Sequence, residues 1–364
     1  MEHWISVLNR SYSNVSSLRN FLSLSDEEER TLMNIQKKYP VFVNPYYLSL
    51  IDPQDPEDPI RKMCIPSKEE LSFAGSLDTS GEMRNTVLPG LQHKYAQTAL
   101  ILSTNKCATY CRHCFRRRLV GIHEKESAID LVKIAEYIRN HEEISNVLIS
   151  GGDAFMNSNK RIKEFLSLLC DIPHIDLIRF GTRTPIVLPQ RIIVDQELKQ
   201  ILSEGSEIKQ LYVITQANHP REITSEASQA VNELLKLGIP VLNQAVLLKG
   251  VNDNPKVLAS LMKDLTAIGV IPYYIFQCRP VTGVMNHFQV PLRRGYHIVA
   301  SAMDEQNGLG KSLRFMMSHI TGKIEILGTG RSPHSMMFKY HEPAMSVDKN
   351  WIFEKPISEK QCWL

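Results

Sequence analysis

The stretch that decides the fold runs from Ala99 to Cys114. It begins with the apolar run Ala99-Leu-Ile-Leu102 and continues, after a short gap, into Cys107-Ala-Thr-Tyr-Cys111-Arg-His-Cys114. The apolar run predicts a buried strand. Three thiolates spaced this closely on the loop after a strand can hold three corners of a cuboidal iron–sulfur cluster. One iron is then left without a protein ligand, and a small molecule can bind there.

Other interpretations of the three cysteines stay open. Zinc sites usually carry paired CxxC spacings and a fourth ligand, and His113 lies beside the motif, although no second pair follows. Coincidental structural cysteines are a further alternative, and we expect Cys64, Cys170 and Cys278 to be core residues. The chain has seven cysteines and its first residues show no signal-peptide pattern, which indicates thiols or metal ligands rather than disulfides.

Short apolar runs alternate with amphipathic stretches from residue 98 onward. The predicted strands are residues 99–102, 147–150, 177–180, 211–215, 241–246 and 272–276. The predicted helices between them include residues 129–138, 162–169, 227–237 and 257–268. This alternation predicts an α/β fold whose parallel strands are joined by right-handed crossovers. Both a doubly wound sheet and a partly closed barrel fit that pattern.

The positions of polar residues favour the barrel. Residues capable of chemistry stand at several predicted strand ends: Cys107, Gly151-Gly152-Asp153, Arg183, Asn218, Gln244 and Arg279. Barrel enzymes gather their active sites at the carboxyl-terminal ends of the strands. We therefore expect a partial, TIM-like (β/α)6 barrel with its active site at that end.

The pattern divides the chain into three regions. Residues 1–95 are predicted to be helical and irregular, with a helix that begins at the N-cap Ser25 and ends before Pro40, and a proline-punctuated connector at residues 52–59. Residues 96–310 form the predicted barrel. Within residues 311–364, runs at 313–317, 323–327 and 336–340 predict a small antiparallel β extension.

Bulk composition excludes several classes of protein. The hydrophobic fraction is 43%, the charged fraction 22% and the net charge +3, which is ordinary for a globular enzyme and too small to indicate nucleic-acid or membrane-surface binding. No apolar run approaches the roughly 20 residues of a spanning helix. We expect a cytoplasmic enzyme that acts on a small molecule.

The cysteine motif after the first strand of a βα barrel resembles the radical S-adenosylmethionine (SAM) superfamily. Further segments resemble, in family order, the lysine 2,3-aminomutase family: Leu91-Gln-His-Lys-Tyr95, Gly151-Gly-Asp153, Gly181-Thr-Arg-Thr-Pro185, Asn218-His-Pro220, Asn243-Gln244, Gly250-Val-Asn-Asp253 and Pro272-Tyr-Tyr274. The resemblance implies a [4Fe–4S] cluster on Cys107, Cys111 and Cys114, with SAM on the open iron. It also implies pyridoxal 5′-phosphate (PLP), and a 5′-deoxyadenosyl radical that drives movement of an α-amino group to the β-carbon.

The resemblance assigns four residues to SAM. Gly151, Gly152 and Asp153 would hold its amino group, and Gln244 would contact its methionine end. Glycines let a backbone approach a ligand closely. The alternatives are a plain tight turn for the glycine pair and a buried, hydrogen-bonded role for Gln244.

The resemblance assigns three residues to PLP. Lys323 would be the Schiff-base lysine, since a desolvated lysine condenses with an aldehyde. A single glycine precedes it here, whereas the family has a glycine-rich loop, and an exposed turn lysine is the alternative. Lys94 and Tyr95 would lie near PLP, with lysine where the family has arginine.

The substrate residues both match and depart from the family. Arg116, the first of three consecutive arginines, matches the position that binds the α-carboxylate. Arg279 and Ser318-His319 stand where the lysine enzymes carry two aspartates. A cation at Arg279 disfavours the lysine ammonium and suits an acidic side chain, with His319 as a helper. Alternatively, Arg279 pairs with a protein carboxylate such as Glu325, and the pocket holds a neutral group.

The resulting prediction is an isomerase, an amino-acid 2,3-aminomutase acting on glutamate or another acidic amino acid rather than free lysine. The alternative is a radical SAM enzyme without PLP that acts on another small molecule or a protein lysine. Partners are expected to include an electron donor such as flavodoxin or ferredoxin, and a homo-oligomer. The zinc-ligand cysteines of the clostridial lysine enzyme are not matched, because Asn254 follows Asp253 and Cys362 stands alone near the end.

Overall fold

The computed structural model describes residues 2–122, 127 and 130–364. Its strands form a single sheet in which every strand lies beside its neighbours in sequence. The strands are β1 Thr86–Leu88, β2 Leu91–Tyr95, β3 Thr98–Thr104, β4 Asn146–Gly151, β5 Leu177–Gly181, β6 Gln210–Thr215, β7 Val241–Leu247, β8 Val270–Gln277, β9 Arg314–His319, β10 Gly322–Thr329, β11 Ser335–Pro343 and β12 Ile352–Pro356.

The helices fall into an N-terminal group and a group of crossovers. The first group is α1 Trp4–Asn9, α2 Val15–Leu22, α3 Asp26–Lys38, α4 Pro45–Leu48 and α5 Pro59–Cys64. The second is α6 Leu131–Arg139, α7 Asn159–Cys170, α8 Thr184–Val187, α9 Gln190–Ile193, α10 Gln196–Ile208, α11 Ser225–Lys236, α12 Pro255–Ala267, α13 Met285–Phe288 and α14 Leu292–Asp304. The predicted helix at 129–138 corresponds to α6, and residue 129 lies outside the described residues. None of the helices in the described ranges has the length and apolar composition needed to cross a bilayer.

The six predicted parallel strands are confirmed as β3 to β8. Each pairs in parallel with the next, and helices cross between them. The strand order is sequential, whereas a doubly wound sheet reverses its order at a switch point. The fold is therefore a partial TIM-like barrel.

The predicted antiparallel extension needs one correction. β9 pairs in parallel with β8 because α14 crosses between them, so it adds a seventh parallel strand to the barrel. From β10 onward the extension is antiparallel, and it ends with β12, which the sequence did not predict. At the other edge, β1 and β2 form a hairpin that pairs antiparallel with β3.

The barrel strands separate a core face from a cavity face. In β4, Val147 and Ile149 are fully buried, whereas the alternate residues Leu148 and Ser150 line a cavity. Successive side chains of a strand point to opposite faces. Burial of each such core side chain contributes about 1.5–3 kcal/mol.

Polar side chains cap the helices of the N-terminal region. Ser25 and Glu28 form a capping box at the start of α3, which ends at Lys38 before Pro40, as predicted. The connector at residues 52–59 is mostly exposed. Its Asp58 is buried, because that side chain caps α5 and forms an ion pair with Arg221 at 2.5 Å.

Candidate active site

A cavity of about 380 Å³ opens at the carboxyl-terminal ends of the barrel strands. All the site residues predicted from the sequence line it except His319. They are Cys107, Cys111, Cys114, Arg116, Gly151, Gly152, Asp153, Gln244, Lys94, Tyr95, Arg279 and Lys323. The sheet therefore brings together, in one space, groups that are up to 229 positions apart in the chain (Lys94 and Lys323).

The three cysteines are free thiols on the loop after β3. Burial and the neighbouring Cys111 raise the pKa of Cys114 to about 11, and burial and Asp153 raise the pKa of Cys107. Arg183 donates a hydrogen bond to Cys111 Sγ at 2.6 Å. Thiolates in such a setting need a cationic partner, and cluster iron supplies one.

His113 does not complete a zinc site with the cysteines. Among the described residues, no group of three or more ligand atoms that all lie within 4.8 Å of one another combines His113 with a cysteine. Burial lowers the pKa of His113 to about 3, so its ring is neutral, and its Nδ1 has no hydrogen-bond partner. The donor set fits a three-cysteine cluster site better than tetrahedral zinc.

The glycine pair at the end of β4 is required by the cluster loop itself. A Cβ on Gly152 would lie 2.3 Å from the carbonyl oxygen of Lys106, and Gly151 has a φ of +118°. The backbone N–H of Asp153 donates to the same Lys106 oxygen at 2.8 Å. Any side chain at these two positions would push the cysteine loop away from β4.

The Asp153 carboxylate is engaged by the protein. One oxygen accepts hydrogen bonds from the backbone of Phe155 and the hydroxyl of Thr184, both at 3.0 Å. The other accepts from the backbone N–H of Arg183 at 2.8 Å. Asp153 therefore ties the ends of β4 and β5 together beside the cluster loop.

Two polar side chains on the cavity wall lack protein partners. Gln244 on β7 makes no amide hydrogen bond to any described residue, and the buried Thr215 Oγ1 on β6 has none either. A ligand in the cavity would satisfy the Thr215 hydroxyl, since buried polar groups are normally hydrogen-bonded, and it would also give the half-buried Gln244 amide a partner. The alternative of a buried, hydrogen-bonded Gln244 does not describe this structure.

A cluster of cations occupies one end of the cavity. Arg116 donates from Nε to Glu82 at 2.8 Å, and Arg118 donates from Nη2 to the other oxygen of Glu82 at 2.9 Å. Burial opposes ionisation of Glu82, but the charges of Arg116 and Arg279 outweigh it and lower its pKa. Burial and Arg279 lower the pKa of Lys94 to about 8.

Arg279 faces this end of the cavity without a carboxylate partner among the described residues. Its Nη1 and Nη2 each donate to a serine hydroxyl, on Ser80 and Ser318 respectively, at 2.8 Å. Its guanidinium also lies 4.0 Å from the centroid of the Phe115 ring. Burial lowers the pKa of Arg279 to about 10. The partner proposed as an alternative, Glu325, lies 3.8 Å from Arg314 instead.

The position of His319 corrects the sequence prediction. Its ring bonds the Thr321 hydroxyl at 2.8 Å and does not line the cavity. Successive residues of β9 point to opposite faces, so Ser318 faces the cavity in its place. His319 contributes only its backbone carbonyl to this region, which accepts from Lys94 at 2.8 Å.

Lys323 lines the cavity from β10, where it is paired with Ser318 of β9, the residue whose hydroxyl accepts a hydrogen bond from Arg279. It is hydrogen-bonded to Glu342, its cross-strand neighbour on β11. Its Nζ is 5.6 Å from the ring centroid of Tyr95 and 5.2 Å from that of Tyr274. The side chain is 17% exposed, so the alternative of an exposed turn lysine does not apply.

Several cavity residues were not predicted from the sequence. Arg179 lies within β5, and its Nε is buried without a partner. Its neighbours in sequence are apolar, which gave no sign that it faces the cavity. Ser80 and Glu82 come from the N-terminal region, and Ser318 and Glu342 from the C-terminal strands.

Comparison with known proteins agrees with this geometry. Residues 101–262 match the radical SAM superfamily. The chain is 40% identical to a protein of Aquifex aeolicus named putative L-lysine 2,3-aminomutase, over 91% of this chain and 88% of that one. It is 39% identical to the L-lysine 2,3-aminomutase of Clostridium subterminale, over 81% of this chain and 70% of that one. It is 37% identical to the glutamate 2,3-aminomutase of Clostridioides difficile, over 80% of this chain and 68% of that one.

Identity at this level over most of both chains defines the class of enzyme. It is a radical SAM aminomutase, an isomerase, and its cofactors are those the sequence indicated: a [4Fe–4S] cluster, SAM and, as is typical of these relatives, PLP. The chain belongs to the lysine 2,3-aminomutase family of radical SAM enzymes.

Proposed function

We propose that this protein is a PLP-dependent 2,3-aminomutase for an amino acid with a carboxylate side chain, glutamate or aspartate. The observation that carries the proposal is the half-buried Arg279, which faces the cavity and has no protein carboxylate within ion-pair distance among the described residues. A partly desolvated charge of this kind needs a partner, and an acidic substrate supplies one.

The charge balance at this end of the cavity supports the same conclusion. Arg116, Arg279 and Lys94 contribute three cationic groups, and Glu82 is the acid that lines the cavity beside them. Two unit charges 4 Å apart interact by about 4 kcal/mol at an effective dielectric constant of 20. A lysine ammonium placed beside Arg279 would be repelled by about that amount, whereas a carboxylate would be attracted. The relative named glutamate 2,3-aminomutase is consistent with this choice.

The residues of the cavity fit the three cofactors. Cys107, Cys111 and Cys114 would hold the cluster. The unpartnered polar atoms of Gln244 and Thr215, together with the backbone at Gly151 and Gly152, fit SAM. Together the bound cofactors supply a carbon radical that abstracts hydrogen and a carbonyl group that carries the migrating nitrogen.

Four residues fit PLP. Lys323 would anchor it covalently, and Tyr95 lies beside that amine. The unpartnered N–H of Arg179 and the ammonium of Lys94 are cationic donors suited to its phosphate. Glu342 accepts a hydrogen bond from Lys323 Nζ and can take the proton that the amine must lose before it reacts.

Arg116 is placed to hold the substrate α-carboxylate. Glu82 and Ser150 occupy its Nε and Nη1, and its Nη2 makes no hydrogen bond to a described residue. Arg279 would hold the side-chain carboxylate at the same end of the cavity. Two fixed anchors would orient the α- and β-carbons for reaction.

The test is anaerobic reconstitution of the cluster, addition of PLP, reductant and SAM, and incubation with single amino acids followed by mass spectrometry and NMR. The proposal predicts a β-amino isomer from glutamate or aspartate, and faster turnover than with lysine. Faster rearrangement of lysine would overturn the acidic-substrate assignment. Cleavage of SAM without rearrangement of any free amino acid would favour the alternative, a PLP-independent enzyme acting on a protein lysine or another small molecule.

The proposed partners follow from this chemistry. Reduction of the cluster requires a one-electron donor, for which flavodoxin or ferredoxin is suitable. The assay with dithionite and the assay with flavodoxin should therefore yield the same product. Light scattering of the reconstituted enzyme tests the proposed homo-oligomer.

A further inference from the structure

Outside the cavity, His93, His141 and Glu143 lie together. Each offers one ligand atom, and the three atoms lie within 4.8 Å of one another. Within the described ranges, no other group of three histidine, cysteine or acidic side chains satisfies this distance. None of the three lines the active-site cavity. Both histidines are partly exposed and Glu143 is exposed, so an ion can reach them.

Backbone carbonyls orient both imidazoles. His93 Nε2 lies 3.1 Å from the carbonyl oxygen of Ala96, and His141 Nδ1 lies 2.7 Å from that of Tyr137. A carbonyl oxygen only accepts, so each of these nitrogens carries hydrogen and the other ring nitrogen carries the lone pair. Histidines that bind metals are oriented in this way by a carbonyl or carboxylate on their second nitrogen.

We propose that His93, His141 and Glu143 form a binding site for a divalent transition-metal ion, for which Zn²⁺ is the suitable probe. Two imidazole nitrogens and one carboxylate oxygen are donors that Zn²⁺ accepts, and water completes the four-coordinate shell. The hydroxyl of Tyr137, which lies 3.1 Å from His93 Nδ1, is the partner that the ion displaces. The proposed ion would not contact the iron–sulfur cluster, and it would not take part in the rearrangement of the amino acid.

The position of the site gives the ion a structural role. The regular pairing of β2 with β3 is interrupted between Gln92 and Tyr95, so His93 and Lys94 lie where the strand ladder does not hold them. The other two ligands lie in the connection from α6 to β4. A bound ion would tie this stretch of β2 to that connection. Since Lys94 and Tyr95 line the cavity, the ion would also steady one wall of the active site.

The experiment uses untagged, cluster-loaded enzyme, because a histidine tag and empty cysteine thiols both bind zinc. Equilibrium dialysis against Zn²⁺ gives stoichiometry and affinity, and X-ray absorption at the zinc edge gives the ligand atoms. The variants are His141→Ala and Glu143→Gln. The matched control is His334→Ala, which removes an exposed histidine elsewhere on the surface.

The proposal predicts one zinc per chain with nitrogen and oxygen ligands and no sulfur. His141→Ala and Glu143→Gln should each weaken binding by at least about tenfold, while His334→Ala should bind as the unaltered chain does. Zinc should raise the melting temperature of the unaltered chain and of the control, since an ion that binds the folded state stabilises it. Sulfur in the zinc shell, or undiminished binding by His141→Ala, would overturn the proposal. The iron content of each preparation reports separately on whether the variant has folded.

Discussion

Replacement of Arg279 by glutamine tests the acidic-substrate assignment most directly. The change removes the charge but keeps a hydrogen-bonding group near Ser80 and Ser318, which now hold the guanidinium. A hydrogen bond to a charged group contributes about 1.5–3 kcal/mol. The Coulomb term is about 4 kcal/mol at 4 Å, and part of it is offset by desolvation of the incoming carboxylate.

A net loss of about 2–3 kcal/mol is therefore expected in transition-state binding. At 1.36 kcal/mol per tenfold, kcat/KM for glutamate or aspartate should fall by about 30- to 150-fold. The assay is product formation by mass spectrometry in the reconstituted enzyme. The variant should still cleave SAM in the absence of substrate, because Arg279 is not among the residues assigned to SAM or the cluster.

The matched control is Arg84→Gln, which removes one exposed arginine from the N-terminal region. It should retain the kcat/KM of the unaltered enzyme. An Arg279→Gln variant with full iron content and undiminished kcat/KM for the acidic substrate would refute the reasoning. In that case Arg279 would have only a structural role beside its two serines.

The remaining predictions concern PLP and the cluster loop. Burial and Arg279 lower the pKa of Lys94 to about 8, so this side chain loses its charge as the pH rises through 8. The affinity for PLP, measured by fluorescence titration, should therefore fall over pH 7–9. Lys94→Arg should remove that pH dependence, because arginine stays protonated. Lys323→Ala should lose the covalent adduct that borohydride forms with bound PLP, detected by intact mass, whereas Lys339→Ala should keep it; a persisting adduct would place the anchor elsewhere. Gly152→Ala forces a Cβ against the Lys106 carbonyl and should cost about 1–3 kcal/mol, with iron content after reconstitution reduced; unchanged iron content would show that the loop can shift freely.

The local pattern of apolar and polar residues was sufficient to predict the barrel strands. The runs that became β3 to β8 are short, apolar and bounded by polar residues, and each forms its strand because both the sheet and the helices bury it. The same pattern did not predict the helices α10 and α14. Because α14 was missed, the parallel pairing of β9 was missed as well. Parallel pairing depends on a crossover helix, which a strand's own residues do not encode.

The sequence by itself determined the chemistry of the enzyme, because three closely spaced cysteines and a series of strand-end motifs are local features. Only the tertiary structure decided which side chains share the cavity. Alternation along β9 turns Ser318 inward and His319 away, and the sheet brings Glu82 and Glu342 from distant segments to Arg116 and Lys323. These contacts depend on how the helices and strands pack together, and the spacing of residues along the chain does not predict that packing.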